Sequence, residues 1–107
     1  MYIDNFTKKV EGYWKSKQYP KLPMPIPNQL SEQDAIKIHQ LIKNKEKSAN
    51  KTQYRGPSFS RIEPNVTVGS AEFSNGGWNW PDGYADHYVL KHKVRPSAEF
   101  LDYIGYL

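Results

Sequence analysis

The chain contains no cysteine, which excludes a disulfide framework, thiol catalysis and every thiolate metal site. Long hydrophobic runs are missing too. No stretch approaches the roughly 18 apolar residues of a membrane span, and Met1 to Val10 carries Asp4, Lys8 and Lys9 where a secretory leader would be apolar. The expected setting is the cytoplasm, without membrane association. No Gly-x-Ser-x-Gly elbow and no glycine-rich phosphate loop occurs, so covalent serine chemistry and nucleotide-driven chemistry are disfavoured. Aliphatic bulk is also scarce: Leu, Ile, Val and Phe together number 22 of 107 residues, close to the floor for a folding chain. Eight Tyr and three Trp supply the missing surface, so the core must be aromatic.

The net charge of +4 is unevenly spread: residues 1–30 and 31–63 each sum to +3, and residues 64–107 to −2. A basic front suits an acidic protein or a phosphate backbone, although lysines such as Lys43, Lys45, Lys47 and Lys51 also serve simply to solvate a helix end.

Ile3, Phe6, Val10, Tyr13 and Trp14 recur at helical spacing, which predicts a short amphipathic helix over residues 4–17, weakened by Gly12. Pro20, Pro23, Pro25 and Pro27 then force an extended strap, which Leu22, Met24 and Ile26 are expected to pin to the core. Ser31-Glu32-Gln33-Asp34 caps a second helix that carries Ala35, Ile38, Leu41 and Ile42 to about Lys47. His39 lies beside that stripe and reads as a structural histidine. Lys43 to Lys51 loses periodicity and reads as a mobile basic loop.

From Tyr54 the period changes to two. Ser58 to Ile62 alternates, Glu63-Pro64-Asn65 is turn chemistry, Val66 to Phe73 forms a second strand, and Ser74-Asn75-Gly76-Gly77 turns into Trp78-Asn79-Trp80. Asp82 is positioned to cap a helix from Gly83 to about His92, and Ser97 another through Ala98, Phe100, Leu101 and Ile104. The expected fold is a single α+β domain: a three-stranded antiparallel meander packed with an N-terminal helix pair and two short C-terminal helices.

Tyr54-Arg55-Gly56-x-Ser58-x-x-Arg61, Gly69-Ser70-x-Glu72-Phe73, Gly77-Trp78-x-Trp80-Pro81-x-Gly83-Tyr84, His87-Tyr88, His92 and Val94-Arg95-Pro96-Ser97 form a pattern over the C-terminal half. It resembles that of a group of small bacterial proteins without assigned activity. The resemblance implies a shared fold and a bacterial or phage origin, and it assigns no chemistry. Some members of that group carry cysteines near the positions of Arg61 and Glu63. This chain has none, so no thiolate site is implied here.

His87 and His92 are five apart, and on an α-helix that spacing puts the imidazoles on different faces. No metal and no cofactor are therefore expected. Tyr84, Tyr88 and His92 form a stripe that suits a core face or a pocket wall, and Trp78 with Trp80 suits a packed sheet or a stacking platform. Arg61 and Glu72 could pair across strands. The leading functional reading is a non-catalytic binding or regulatory protein directed at another protein, through Arg61, Trp78, Trp80, Tyr84, His87, Tyr88 and Arg95, residue types common at binding hot spots. Two alternatives remain. One is nucleic-acid binding by Lys43, Lys45, Lys47, Lys51 and Arg55. The other is a small acid–base enzyme using His87 or His92 with Glu72, and Arg61 or Arg95 to hold an anion.

Overall fold

The computed structural model describes residues 2–3, 9–15 and 20–107, with the backbone alone at 2–3 and 54–57. In chain order the elements are β1 (Tyr2–Ile3), β2 (Lys9–Val10), α1 (Glu32–Glu46), β3 (Asn50–Phe59), β4 (Thr67–Asn75), β5 (Trp78–Pro81), a π-helix (Tyr84–Lys91) and α2 (Ala98–Ile104). The five strands form one mixed sheet in the order β1-β2-β5-β4-β3, with β2 parallel to β5 and every other pair antiparallel. The class is α+β, but the three-stranded meander with an N-terminal helix pair is not what forms.

The correction lies at the N-terminus. The helix expected over 4–17 is replaced at Lys9–Val10 by a strand, and residues 4–8 and 16–17 lie outside the described residues. Two constraints explain the change. Every residue of β5 is buried, so the edge that faces away from β4 must find hydrogen-bond partners. β2 supplies them, with the Lys9 N–H donating to the Gly77 carbonyl at 3.2 Å and the Glu11 N–H to Asn79 at 2.9 Å. Gly12 then passes at φ +82 so close to Tyr84 that a Cβ would stand 2.6 Å from the ring, and a helix carrying a side chain there would not fit.

Elsewhere local chemistry prevails. Ser31 caps α1 by accepting the Asp34 N–H at 3.1 Å, and Ala35, Ile38 and Ile42 are buried as the spacing predicts. The expected basic loop is mostly regular structure, since α1 runs to Glu46 and β3 begins at Asn50. In the strap only Leu22 of the three apolar residues is buried; Met24 and Ile26 are 50% and 58% exposed. The β4–β5 hairpin closes at Gly76-Gly77.

The core is aromatic, as the shortage of aliphatic residues requires. Trp78 and Trp80 share one face of β5 and meet the Phe100 ring of α2 edge-on at 5.1 and 5.7 Å, while Tyr84 meets it at 6.0 Å. Phe73, opposite Trp80 on β4, stacks on it at 5.9 Å. The Trp80 indole N–H donates to Glu46 of α1 at 3.0 Å, so the buried ring has no orphaned donor.

Glu11 ties β2 to α2. Its carboxylate is buried and accepts from the Ser97 N–H at 2.7 Å, the Ser97 hydroxyl at 2.9 Å and the Tyr84 hydroxyl at 3.1 Å, while Ser97 in turn caps α2. Burial raises the Glu11 pKa above the usual carboxylate value, against the lowering effect of the Ser97 and Tyr84 hydrogen bonds.

Phe100→Ala should cost about 3–5 kcal/mol in urea denaturation and red-shift the tryptophan emission. A cost below about 1 kcal/mol would remove Phe100 from the centre of the core. Because the folded-state pKa of Glu11 lies above its unfolded value, its ionisation removes stability as pH rises through that window. The stability difference between Glu11→Gln and the native chain should therefore move in favour of the variant as pH climbs from about 4.5; a flat difference would contradict the desolvation argument.

Candidate functional site

Loop 60–66 and the π-helix build one polar cluster between them. The loop is shaped by its own sequence. Pro64 sits second in a turn closed by the Val66 N–H donating to the Glu63 carbonyl at 2.8 Å. The Ser60 hydroxyl oxygen accepts the N–H groups of Ile62 at 3.0 Å and Glu63 at 2.8 Å. With both lone pairs used, the Ser60 proton goes to Nε2 of His87, 2.7 Å away. Ser60 is only 2% exposed. A serine so saturated and so covered is a staple for the loop and has no lone pair left for nucleophilic attack.

On the helix side, His87 and His92 do share a face, against the expectation from α-helical spacing. The His92 N–H donates to the His87 carbonyl at 3.1 Å, an i→i+5 bond. That wider turn brings residues five apart nearly above one another. The two rings stand 4.8 Å apart between centroids at 71°. Both Nε2 atoms lie near one oxygen, Oε2 of Glu63, at 2.8 Å from His92 and 3.6 Å from His87. The Lys91 ammonium reaches the same oxygen at 2.9 Å. Hydrogen bonds from His92 and Lys91 hold the Glu63 carboxyl down to about 2. Burial lowers the His87 pKa, with His92 and Lys91 pushing the same way and Glu63 opposing.

The carboxylate of this cluster is therefore Glu63, not the expected Glu72. Glu72 lies on β4 and accepts the Tyr13 hydroxyl. Arg61 does not pair with it: its guanidinium donates to the Phe59 carbonyl at 3.3 Å and its backbone N–H to the Tyr88 hydroxyl at 3.0 Å. Glu63 was read from sequence only as turn chemistry. The Ser60-x-x-Glu63 spacing, in which a serine oxygen captures the N–H of the glutamate three residues on, was the signal available for it.

The aromatic members of the expected binding surface are core residues. Trp78, Trp80, Tyr84 and Tyr88 are all buried, Trp80 and Tyr84 completely, which leaves Arg61 and Arg95 exposed and His87 half-buried. The two arginines border neighbouring clefts on either side of Gly12-Tyr13-Trp14. One cleft, about 220 Å³, is edged by Met24, Ile26 and Arg95; the other, about 180 Å³, by Phe59, Arg61 and Asp82. The Trp14 indole N–H, buried in the wall they share, has no hydrogen-bond partner among the described residues.

The basic set is largely engaged within the chain. Lys43 pairs with Glu46 at 2.9 Å and lies 3.8 Å from Asp86, Lys51 stands 4.0 Å from Asp82, and Lys45 covers the Tyr103 ring at 4.8 Å. Lys47 is exposed at the end of α1, and the Arg55 side chain lies outside the described residues. His39 bonds Asp86 at 2.6 Å and fastens α1 to the π-helix. Among the described residues no helix is long and apolar enough to cross a membrane.

No protein-family model, no curated protein and no solved structure matches the chain. Function must therefore be argued from this geometry.

Ser60→Ala should lower stability by about 1–3 kcal/mol, the cost of leaving buried N–H groups unpaired, and should shift the His87 ring resonances in NMR spectra. An unchanged midpoint together with unchanged resonances would show that the Ser60 staple is not formed in solution.

Proposed function

We propose that this chain is a cytoplasmic, non-catalytic binding or regulatory module directed at another protein, and that the partner docks over the paired clefts around Trp14. The observation that carries this reading is Trp14, which lines both clefts and whose buried indole N–H has no hydrogen-bond partner among the described residues. A buried donor left without an acceptor costs free energy. A docking segment that brings a carbonyl or carboxylate oxygen would recover that cost. The rims add apolar anchors, Met24 and Ile26 beside one cleft and Phe59 beside the other, Phe59 being 51% exposed, with an arginine at each end. Arginine, tryptophan and large apolar side chains around a desolvated centre are the usual make-up of a protein-binding hot spot.

The engagement of Glu72 by Tyr13, while Glu63 stands beside the imidazoles, argues against an acid–base enzyme that uses His87 or His92 with Glu72. Phosphate binding by the lysines is less favoured, because Lys43 and Lys51 already face carboxylates.

Affinity capture from native lysate should recover one stoichiometric protein, with or without nuclease. It should be lost with Arg61→Glu combined with Arg95→Glu and retained with Lys43→Gln combined with Lys47→Gln. Nuclease sensitivity, or the reverse pattern of variants, would replace this reading with nucleic-acid binding, whose affinity also falls steeply with salt.

A further inference from the structure

We propose that Glu63, His87 and His92 form a binding site for a divalent transition metal of the zinc type, with one carboxylate oxygen and two imidazole nitrogens as ligands. The three donor atoms lie within 4.8 Å of one another. At zinc–ligand bond lengths of about 2.0–2.1 Å, tetrahedral neighbours stand roughly 3.3 Å apart. The observed Oε2 to Nε2 separations of 2.8 and 3.6 Å bracket that value, and with all three donors inside 4.8 Å closing on a metal draws the two imidazole nitrogens together by at most about 1.5 Å, within reach of side-chain rotation. The donors come from rigid elements: both imidazoles from one helix whose i→i+5 register stacks them, and the carboxylate from a loop clamped by Ser60 and the Pro64 turn.

The hydrogen bonds to Glu63 and Ser60 bring the three donor atoms together without a metal. His92 and Lys91 donate to Oε2 of Glu63, while Nε2 of His87, which accepts the Ser60 proton, lies 3.6 Å from the same oxygen, beyond hydrogen-bond reach. One cation replacing the His92 proton and the Lys91 ammonium, and taking the lone pair that His87 now offers to the Ser60 hydroxyl, would use all three donors. The release costs little at Lys91, whose side chain is 57% exposed. Ser60 keeps its two backbone partners when its proton turns away. Two neutral imidazoles and one carboxylate are the ligand types that suit zinc and its neighbours over calcium or magnesium. With three protein ligands the metal keeps an open position for an outside ligand.

The probe is Zn²⁺ alone, titrated calorimetrically into the untagged full chain, with Co²⁺ as a spectroscopic reporter. One metal per chain should bind, and the cobalt form should show the visible absorption of a low-coordinate nitrogen/oxygen site. Glu63→Gln, and His87→Gln combined with His92→Gln, should each weaken binding by roughly tenfold or more, since even outer partners of metal sites matter on that scale. Lys91→Ala, at an exposed position that should not disturb folding, should tighten binding by removing the competing ammonium. His39→Gln, which alters the histidine bonded to Asp86, should leave affinity unchanged. The proposal is overturned if the folded native chain binds no zinc, if the ligand variants that retain native circular dichroism bind as tightly as it does, if Lys91→Ala fails to tighten binding, or if His39→Gln weakens binding as much as the ligand variants.

Discussion

The i→i+5 hydrogen bond from the His92 N–H to the His87 carbonyl is the constraint on which the polar cluster depends. In an α-helix the same two histidines would point apart, and Glu63 would meet one of them at most. The wider turn is held at both ends. At its start Gly83 has φ +87 and comes so near to Val68 that a Cβ would lie 2.2 Å from the Val68 carbonyl oxygen. At its end Lys93 adopts φ 58, and the Val94 N–H returns to the Tyr88 carbonyl at 2.9 Å, the closing bond of a left-handed helix stop. A lysine in that conformation carries strain of roughly 1–2 kcal/mol. The surroundings hold it in place: the Lys93 carbonyl accepts from both Gln29 and Leu30, and its ammonium lies 2.9 Å from Glu32. Between the two ends, Tyr84, Ala85, Tyr88 and Val89 are buried, and Trp14 packs over the tyrosines at 6.2 and 5.3 Å.

Tyrosine has a second use in this chain beyond filling space. The hydroxyls of Tyr13, Tyr84, Tyr88, Tyr103 and Tyr106 each bond a residue far away in sequence: Glu72, Glu11, the Arg61 backbone, Asn75 and Asp34 respectively. An aliphatic side chain could have filled the same volumes but could not have made these directional ties between distant parts of the chain. The polar tip of a buried tyrosine must find a partner, and here the partners lie beside β2, on α1, on β4 and in the loop after β3. A chain poor in Leu, Ile and Val thereby obtains directional contacts together with its core.

What could be read from the sequence follows a physical division. α1, the β4–β5 hairpin and α2 are legible because a capping serine, an Asn-Gly turn and an apolar period act over a few residues. The N-terminal strands are not. Two residues carry no period, and the parallel pairing of β2 with β5 is set by the unsatisfied edge of a strand some seventy residues later. The apparent helical spacing of Val10, Tyr13 and Trp14 reflects separate contacts of an extended chain. The site was half legible. His87 and His92 stood out as residue types, but their convergence rests on a helix register that no side-chain pattern announces. Glu63 was hidden because its loop role and its role beside the imidazoles use different atoms, the main chain for one and the carboxylate for the other. The tryptophans were ambiguous from composition; coordinates place them inside.

The cleft surface and the imidazole cluster meet in one short stretch of chain. Phe59 and Arg61 edge the cleft, and Ser60 between them turns inward to His87. Side chains alternate across extended backbone, so a single peptide segment presents one face to each site. Other fastenings of the segment include the Ser60 N–H to the Val66 carbonyl at 2.8 Å, the Arg61 N–H to the Tyr88 hydroxyl at 3.0 Å and the pairing of Phe59 with Thr67 of β4. Tyr88 is itself a neighbour of His87, with ring centroids 5.0 Å apart, and its ring also lines the cleft. Any ligand that draws the His87 nitrogen away from Ser60 therefore loosens one of the bonds that set where Phe59 and Arg61 stand. The coupling between two such sites is limited by the free energy of the bond they share, about 0.5–1.5 kcal/mol for one neutral hydrogen bond. That suffices to tune docking severalfold without switching it on or off, a scale that fits adjustment of a binding module better than control of an enzyme.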